Sequence, residues 1–219
     1  MDACPHCVAD AEQARLHQVP LRSLTAEQLD RYAFKAMTTW GDAADYRHFL
    51  PRILELSALP EGDGFPGLDV DLVSRKLEMA GWEAWPASER EALRAYALAR
   101  WEAALDTHPD ERSAWGVLPG LSTLVGGVAP LLARWEAGEG RAFASLQLAE
   151  TLVVEGEALR RGLAPSHWEG HPGWEELRAW MRAPARAEAL VRAASQHSES
   201  SQEAGLLAQG FDAWRWMTT

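Results

Sequence analysis

The stretch Leu24–Leu56, LTAEQLDRYAFKAMTTWGDAADYRHFLPRILEL, decides the fold class. Thr25 with Gln28 three residues on is a capping box, in which each side chain reaches the other's backbone N–H at a helix start. Leu29, Tyr32, Ala33, Ala36, Met37 and Trp40 then recur at helical spacing, and Gly41 is a stop signal. The spacing predicts a helix from Thr25 to Gly41. Phe34 lies off its apolar stripe, so the helix should touch neighbours on two sides. Asp42 can cap a second helix with the stripe Tyr46, Phe49, Leu50, Ile53 and Leu54. Pro51 should bend that helix, because proline removes an internal hydrogen bond and crowds the preceding turn.

Working outward, helical periodicity continues and strand-like alternation is absent. The loop LPEGDGFPG, 59–67, precedes a helix capped by Asp69 that runs to Met79, with Gly81 beyond it. Pro86 opens a long helix to Thr107. Short helices follow within and after Ser113–Ala133, and a longer one starts near Arg141 and ends at Gly162. The loop 163–173 precedes three helices starting near Trp174, Pro184 and Glu199. Nine or ten helices with short connections predict an all-α protein of antiparallel helical pairs, either an irregular bundle or a HEAT-like array. HFLPRILEL and GVAPLLARW each put a proline before a leucine-rich turn, and Pro51 and Pro130 lie about two ~40-residue repeats apart. A single domain, 1–219, is expected, with the loops 59–67 and 163–173 as places where it could subdivide.

Composition narrows the function. A hydrophobic content of 47% and a charged content of 24% describe an ordinary globular chain. A formal charge of −11 argues against a nucleic-acid surface, which runs on clustered Lys and Arg, and only Lys35 and Lys76 are lysines. Ser113–Ala133 carries no charge, but Pro119, Gly120, Gly126, Gly127 and Pro130 interrupt it, so two buried helices are expected there and no membrane span. With no secretory pattern at the start, a cytoplasmic location is expected.

The chemistry-bearing residues are few. Cys4 and Cys7, in CPHC, are the only cysteines. The tetrapeptide resembles the active site of bacterial periplasmic disulfide oxidases of the thioredoxin superfamily, yet only three residues precede Cys4, which leaves no room for the strand those sites need. The same spacing lets two thiolates meet one metal, with His17, or His48, Asp2 or Glu12, as further ligands to zinc. Otherwise the pair is simply reduced and no cofactor is implied. In HWEGHPGWEE, His167 and His171 sit at helical spacing, but Gly170, Pro172 and Gly173 put them in a loop. Asp45, His48 and Arg52, at spacings of three and four, form a polar ladder beside Trp40. A His–Arg ladder at a fixed corner suits partner or anion binding. Of the 11 tryptophans, Trp82, Trp85, Trp115, Trp135, Trp168, Trp174, Trp214 and Trp216 lie near predicted helix ends, where their indole N–H groups can meet free carbonyls. No phosphate loop, nucleophile elbow or di-iron helix pair is present.

LRSLTAEQLDRYAFKAMTTWGDAADYRHFLPRILEL, 21–56, resembles an uncharacterised group of bacterial helical proteins. These share an N-terminal Cys-Pro-x-Cys and a helix of the YAFKAMTTWGD type. That resemblance implies a bacterial origin and brings no activity. The leading expectation is a non-catalytic helical protein that binds a protein partner through Trp40, Asp45, His48 and Arg52. The alternative is a metal or thiol protein that uses Cys4 and Cys7, with His17 as a third ligand.

Overall fold

The computed structural model describes residues 1–138 and 143–219, and it is all-α: 71% helix, counting short 3-10 turns, with eleven α-helices and no strand among the described residues. Two compact units, Met1–Arg94 and Ala95–Thr219, divide the chain, the division falling within one long helix.

The first unit holds α1 (Asp10–His17), α2 (Ala26–Lys35), α3 (Ala43–Ala58), α4 (Val70–Met79) and the first part of α5 (Ala87–Leu105). The capping box expected at Thr25 is formed: its hydroxyl accepts from Gln28 N at 3.3 Å, and its own N–H donates to Gln28 Oε1 at 2.9 Å. Asp42 takes the N–H groups of Ala44 and Asp45 at 2.8 and 2.9 Å. Asp69 starts α4 in the same way, accepting from Asp71 and Leu72. One boundary differs from expectation. α2 ends at Lys35, six residues before Gly41, because Ala36 turns extended and Met37 takes a left-handed φ of 61°. That reversal swings Trp40 back onto Tyr32, edge to face at 5.5 Å, so Trp40 reaches the core from a loop. α1 lies outside the apolar patterning; among its residues only Leu16 is buried.

Tyr32, Tyr46, Phe49, Ile53 and Leu77 form the core of this unit. The turn Pro66–Leu68 crosses α2 so closely that a β-carbon on Gly67 would lie 2.0 Å from the Asp30 carbonyl oxygen. Gly67 N instead donates to Asp30 Oδ1 at 2.7 Å. Only glycine permits that approach.

The second unit holds the rest of α5 with α6 (Leu118–Val125), α7 (Ala129–Ala137), α8 (Ala144–Arg161), α9 (Trp174–Arg182), α10 (Pro184–Ala194) and α11 (Gln202–Thr218). The start near Arg141 expected for α8 lies outside the described residues. The uncharged stretch is core, as expected: Leu118, Leu121, Leu124, Val128 and Leu131 are fully buried. No described helix is long and apolar enough to cross a membrane. Pro51 sits inside α3, whereas Pro130 sits in the first turn of α7, so the two prolines hold different structural places.

α8 and α11 form the most extensive helix pair. They meet where a β-carbon on Gly210 would lie 2.6 Å from Ala149 Cα. Gln147, buried in α8, ties down the chain before α6. Its Oε1 accepts from Ala114 N, and its amide donates to the carbonyls of Thr107 and Arg112, each at 2.8 Å. The expected use of indoles holds for Trp85, which donates to the carbonyl of Ala80 at the end of α4 at 3.3 Å, while Trp101 and Trp135 donate to first-turn carbonyls, Leu131 O at 2.8 Å and Ala144 O at 2.9 Å. It fails for Trp40, Trp168, Trp174 and Trp214, whose buried indole nitrogens have no hydrogen-bond partner.

Candidate functional site

Cys4–Cys7 folds into a hydrogen-bonded turn. The N–H groups of Cys7 and Val8 donate to Cys4 O at 2.9 and 3.0 Å. A turn of this kind brings its first and fourth Cα atoms within about 7 Å, inside the span a disulfide can bridge. Both cysteines are free and half-buried, while Pro5 and His6 at the apex are exposed. The turn is held to the loop after α2 by Cys4 N donating to Thr39 O at 2.9 Å and Gly41 N donating to Asp2 O at 2.6 Å. From below, two side chains one turn apart on α2 grip the Cys7 carbonyl: Lys35 Nζ at 2.8 Å and Arg31 Nη2 at 3.0 Å. Arg31 also pairs with Glu12 at 2.5 Å.

This setting favours a thiolate at Cys4. Its thiol lies below the usual value, chiefly because the His6 backbone N–H hydrogen-bonds to its sulfur. The neighbouring Cys7 thiol lowers it next, burial opposes both, and the Lys35 charge adds the smallest lowering effect. Arg31 and Lys35 were not singled out from the sequence. Their i, i+4 spacing was legible, but that they stand under the cysteine turn depends on the chain returning over α2.

His17 is not brought to the cysteines. It is exposed, with its ring 6.3 Å from Phe49, and no group of three or more His, Cys, Asp or Glu side chains suited to a metal exists among the described residues. The ladder residues are engaged within their own unit. Trp40 is buried. Asp45 completes the α3 capping box, accepting from Asp42 N at 3.2 Å. Arg52 Nε donates to Leu24 O at 2.8 Å, and its Nη1 pairs with Glu55 at 2.7 Å. His48 alone of the four is exposed, edge-on to Phe49 at 4.9 Å.

In the second unit, His171 meets Ser122 at 3.0 Å, a contact that invites comparison with a nucleophile and its base. The hydrogen-bond directions oppose that role. Gly173 N donates to His171 Nδ1 at 3.0 Å, which assigns the ring proton to Nε2. His171 therefore donates to Ser122, whose hydroxyl donates onward to Pro119 O at 2.7 Å. The chain ties a loop to α6 and leaves the serine without a base.

Compared with family models, with curated proteins and with solved structures, the chain matches none.

Proposed function

We propose that this protein acts through a Cys4–Cys7 dithiol that cycles with an intramolecular disulfide by exchange with a disulfide on a protein partner. The observation that carries it is the Cys4–Cys7 turn itself, closed by the Cys7 N–H donating to Cys4 O at 2.9 Å, which holds two free cysteines within disulfide reach. Cys4, whose thiol is lowered from its ordinary value, attacks one sulfur of the partner disulfide; a mixed disulfide forms and the other partner sulfur leaves as thiolate. Cys7, having lost its proton to solvent, then attacks the Cys4 sulfur. The Cys4–Cys7 bond forms and the second partner thiolate departs. The partner gains two electrons, and the pair loses two. In a reducing cytoplasm the resting form is the dithiol.

The test is equilibration in graded glutathione buffers followed by acid trapping and mass spectrometry. A loss of about two mass units, reversed by reductant, is expected for the native chain. Cys7→Ser should accumulate the glutathione adduct on Cys4, and Cys4→Ser should accumulate far less. Two cysteines that remain separately alkylatable in fully oxidised glutathione would overturn the proposal.

A further inference from the structure

We infer that the Cys4–Cys7 turn is half of a soft-metal site that a second copy of this chain completes, four thiolates closing around one zinc-type ion. The inference rests on the reading of Cys4 and Cys7 as an accessible, paired dithiol, and adds a ligand and a partner to it.

Zinc takes four ligands in structural sites, and soft thiolates select it over hard cations. One chain offers two thiols and, among the described residues, no third ligand beside them. The two it offers are already arranged for a metal. They share one turn, closed by the Cys7 N–H on Cys4 O at 2.9 Å, and both are free and partly exposed. The exposed apex, Pro5 and His6, lets a second turn approach face to face. Two copies about a two-fold axis would present the same patch to each other, as a closed isologous contact requires.

Charge follows the same logic. Four thiols and one divalent ion give a tetrathiolate complex of net charge −2, with four protons released to solvent. Each copy brings Lys35 and Arg31 to the Cys7 carbonyl, so cations stand behind the sulfurs on both sides. At −11 per chain the copies repel at long range, and about 0.15 M salt screens that repulsion beyond roughly 8 Å while leaving the metal bonds intact. Disulfide formation would remove all four ligands, so oxidation would release the metal and separate the copies.

The experiment titrates the reduced full-length chain with cobalt(II), then displaces it with zinc(II), while absorbance and sedimentation are followed. The expected result is a sulfur-to-cobalt charge-transfer band that saturates at one metal per two chains, a doubling of the 24.2 kDa mass, and return to monomer on chelation. Cys4→Ser and Cys7→Ser should each abolish the band. Native chain alkylated at both cysteines should do the same, with its helicity confirmed by circular dichroism, so the result does not depend on how the variants fold. Saturation at one metal per chain in a monomer, or no charge-transfer band, overturns the inference. The glutathione experiment contains no metal, so a chain that forms the disulfide yet never dimerises defeats this inference alone. A chain that does neither defeats both.

Discussion

In Met1–Arg94 three helices begin on side chains that take up free N–H groups, Thr25, Asp42 and Asp69. In Ala95–Thr219 three begin with proline in the first or second position, Pro119, Pro130 and Pro184, and two end on left-handed glycines, Gly126 and Gly162. One unit sets its helix boundaries by hydrogen bonds, the other mostly by backbone sterics, with Ser201 of α11 as its side-chain cap. The difference reaches the irregular parts. In the first unit three of the four buried side-chain atoms without partners, Tyr32 Oη, Thr39 Oγ1 and Trp40 Nε1, fall within nine residues of chain that also contain the left-handed Met37, and Arg90 Nε lies apart from them. That segment lies directly beneath the cysteine turn. In the second unit unpartnered polar atoms are spread over several elements, from His167 to Trp214. Strain gathered at one place marks a site more strongly than the same strain dispersed.

The sharpest way to break this comparison is to add a methyl group at each unit's closest crossing. Gly67→Ala drives a β-carbon to 2.0 Å from a backbone oxygen that is itself fixed in α2, and should cost about 3 kcal/mol or more. Gly210→Ala drives one to 2.6 Å from Ala149 Cα, where two helices can slide apart, and should cost about 1–3 kcal/mol. Denaturant unfolding gives the magnitudes and hydrogen exchange gives the location. Gly67→Ala should loosen Met1–Arg94 first, and Gly210→Ala should loosen Ala95–Thr219. Uniform loosening by either variant would dissolve the distinction between the units.

Alkaline pH sharpens it further. Burial raises the phenols of Tyr32 and Tyr46 well above their ordinary value of 10.0. The unfolded chain ionises there and the folded chain does not, so their contribution is complete below pH 10 and is lost as pH rises beyond it. The slope is about 1.4 kcal/mol per pH unit for each phenol. Lys76, buried with its ammonium 2.6 Å from Ala36 O, is lowered by the same burial and works the opposite way, but it is one group against two. Glu150 in the second unit is raised, chiefly by burial, so its contribution is full below 4.5 and is lost as pH rises through its higher folded value. Exchange at pH 11 should therefore loosen the first unit ahead of the second, and Tyr46→Phe should delay that loosening. The opposite order would count against the buried phenols as the cause.

A finer contrast separates two neighbours on α3. Arg52→Ala removes a charged donor from the Leu24 carbonyl and should lower stability by about 1.5–3 kcal/mol. His48→Ala, at an exposed position, should change it by less than about 0.5 kcal/mol. Thermal melts of both single variants and the double variant check this. An unchanged Arg52→Ala melt would free that guanidinium for partner binding.

What was legible in the sequence was local. Thr25 with Gln28, and Asp42 as a cap, announce their helices because the residues involved sit within one turn of each helix start. The end of α2 was not legible. Ala36, Met37 and Trp40 fit the stripe, and only the contact with Tyr32 shows that Trp40 enters the core by a reversed loop. α1 escaped notice for want of an apolar stripe. At the site the cysteine pair stood out by spacing alone. Lys35 at the Cys7 carbonyl spans 28 residues, and so does Arg52 at Leu24, and no local pattern encodes such reach.

Trp101, Trp135 and Trp180 stand in series, with ring centroids 5.3 and 5.1 Å apart. Indoles at that separation couple their electronic transitions. Their fixed interplanar angles of 75° and 37° make the coupled bands chiral. The second unit thus carries its own optical signature in the circular dichroism of its tryptophans. That signature would vanish when α5, α7 and α9 part, while the Trp40 of the first unit goes on reporting separately.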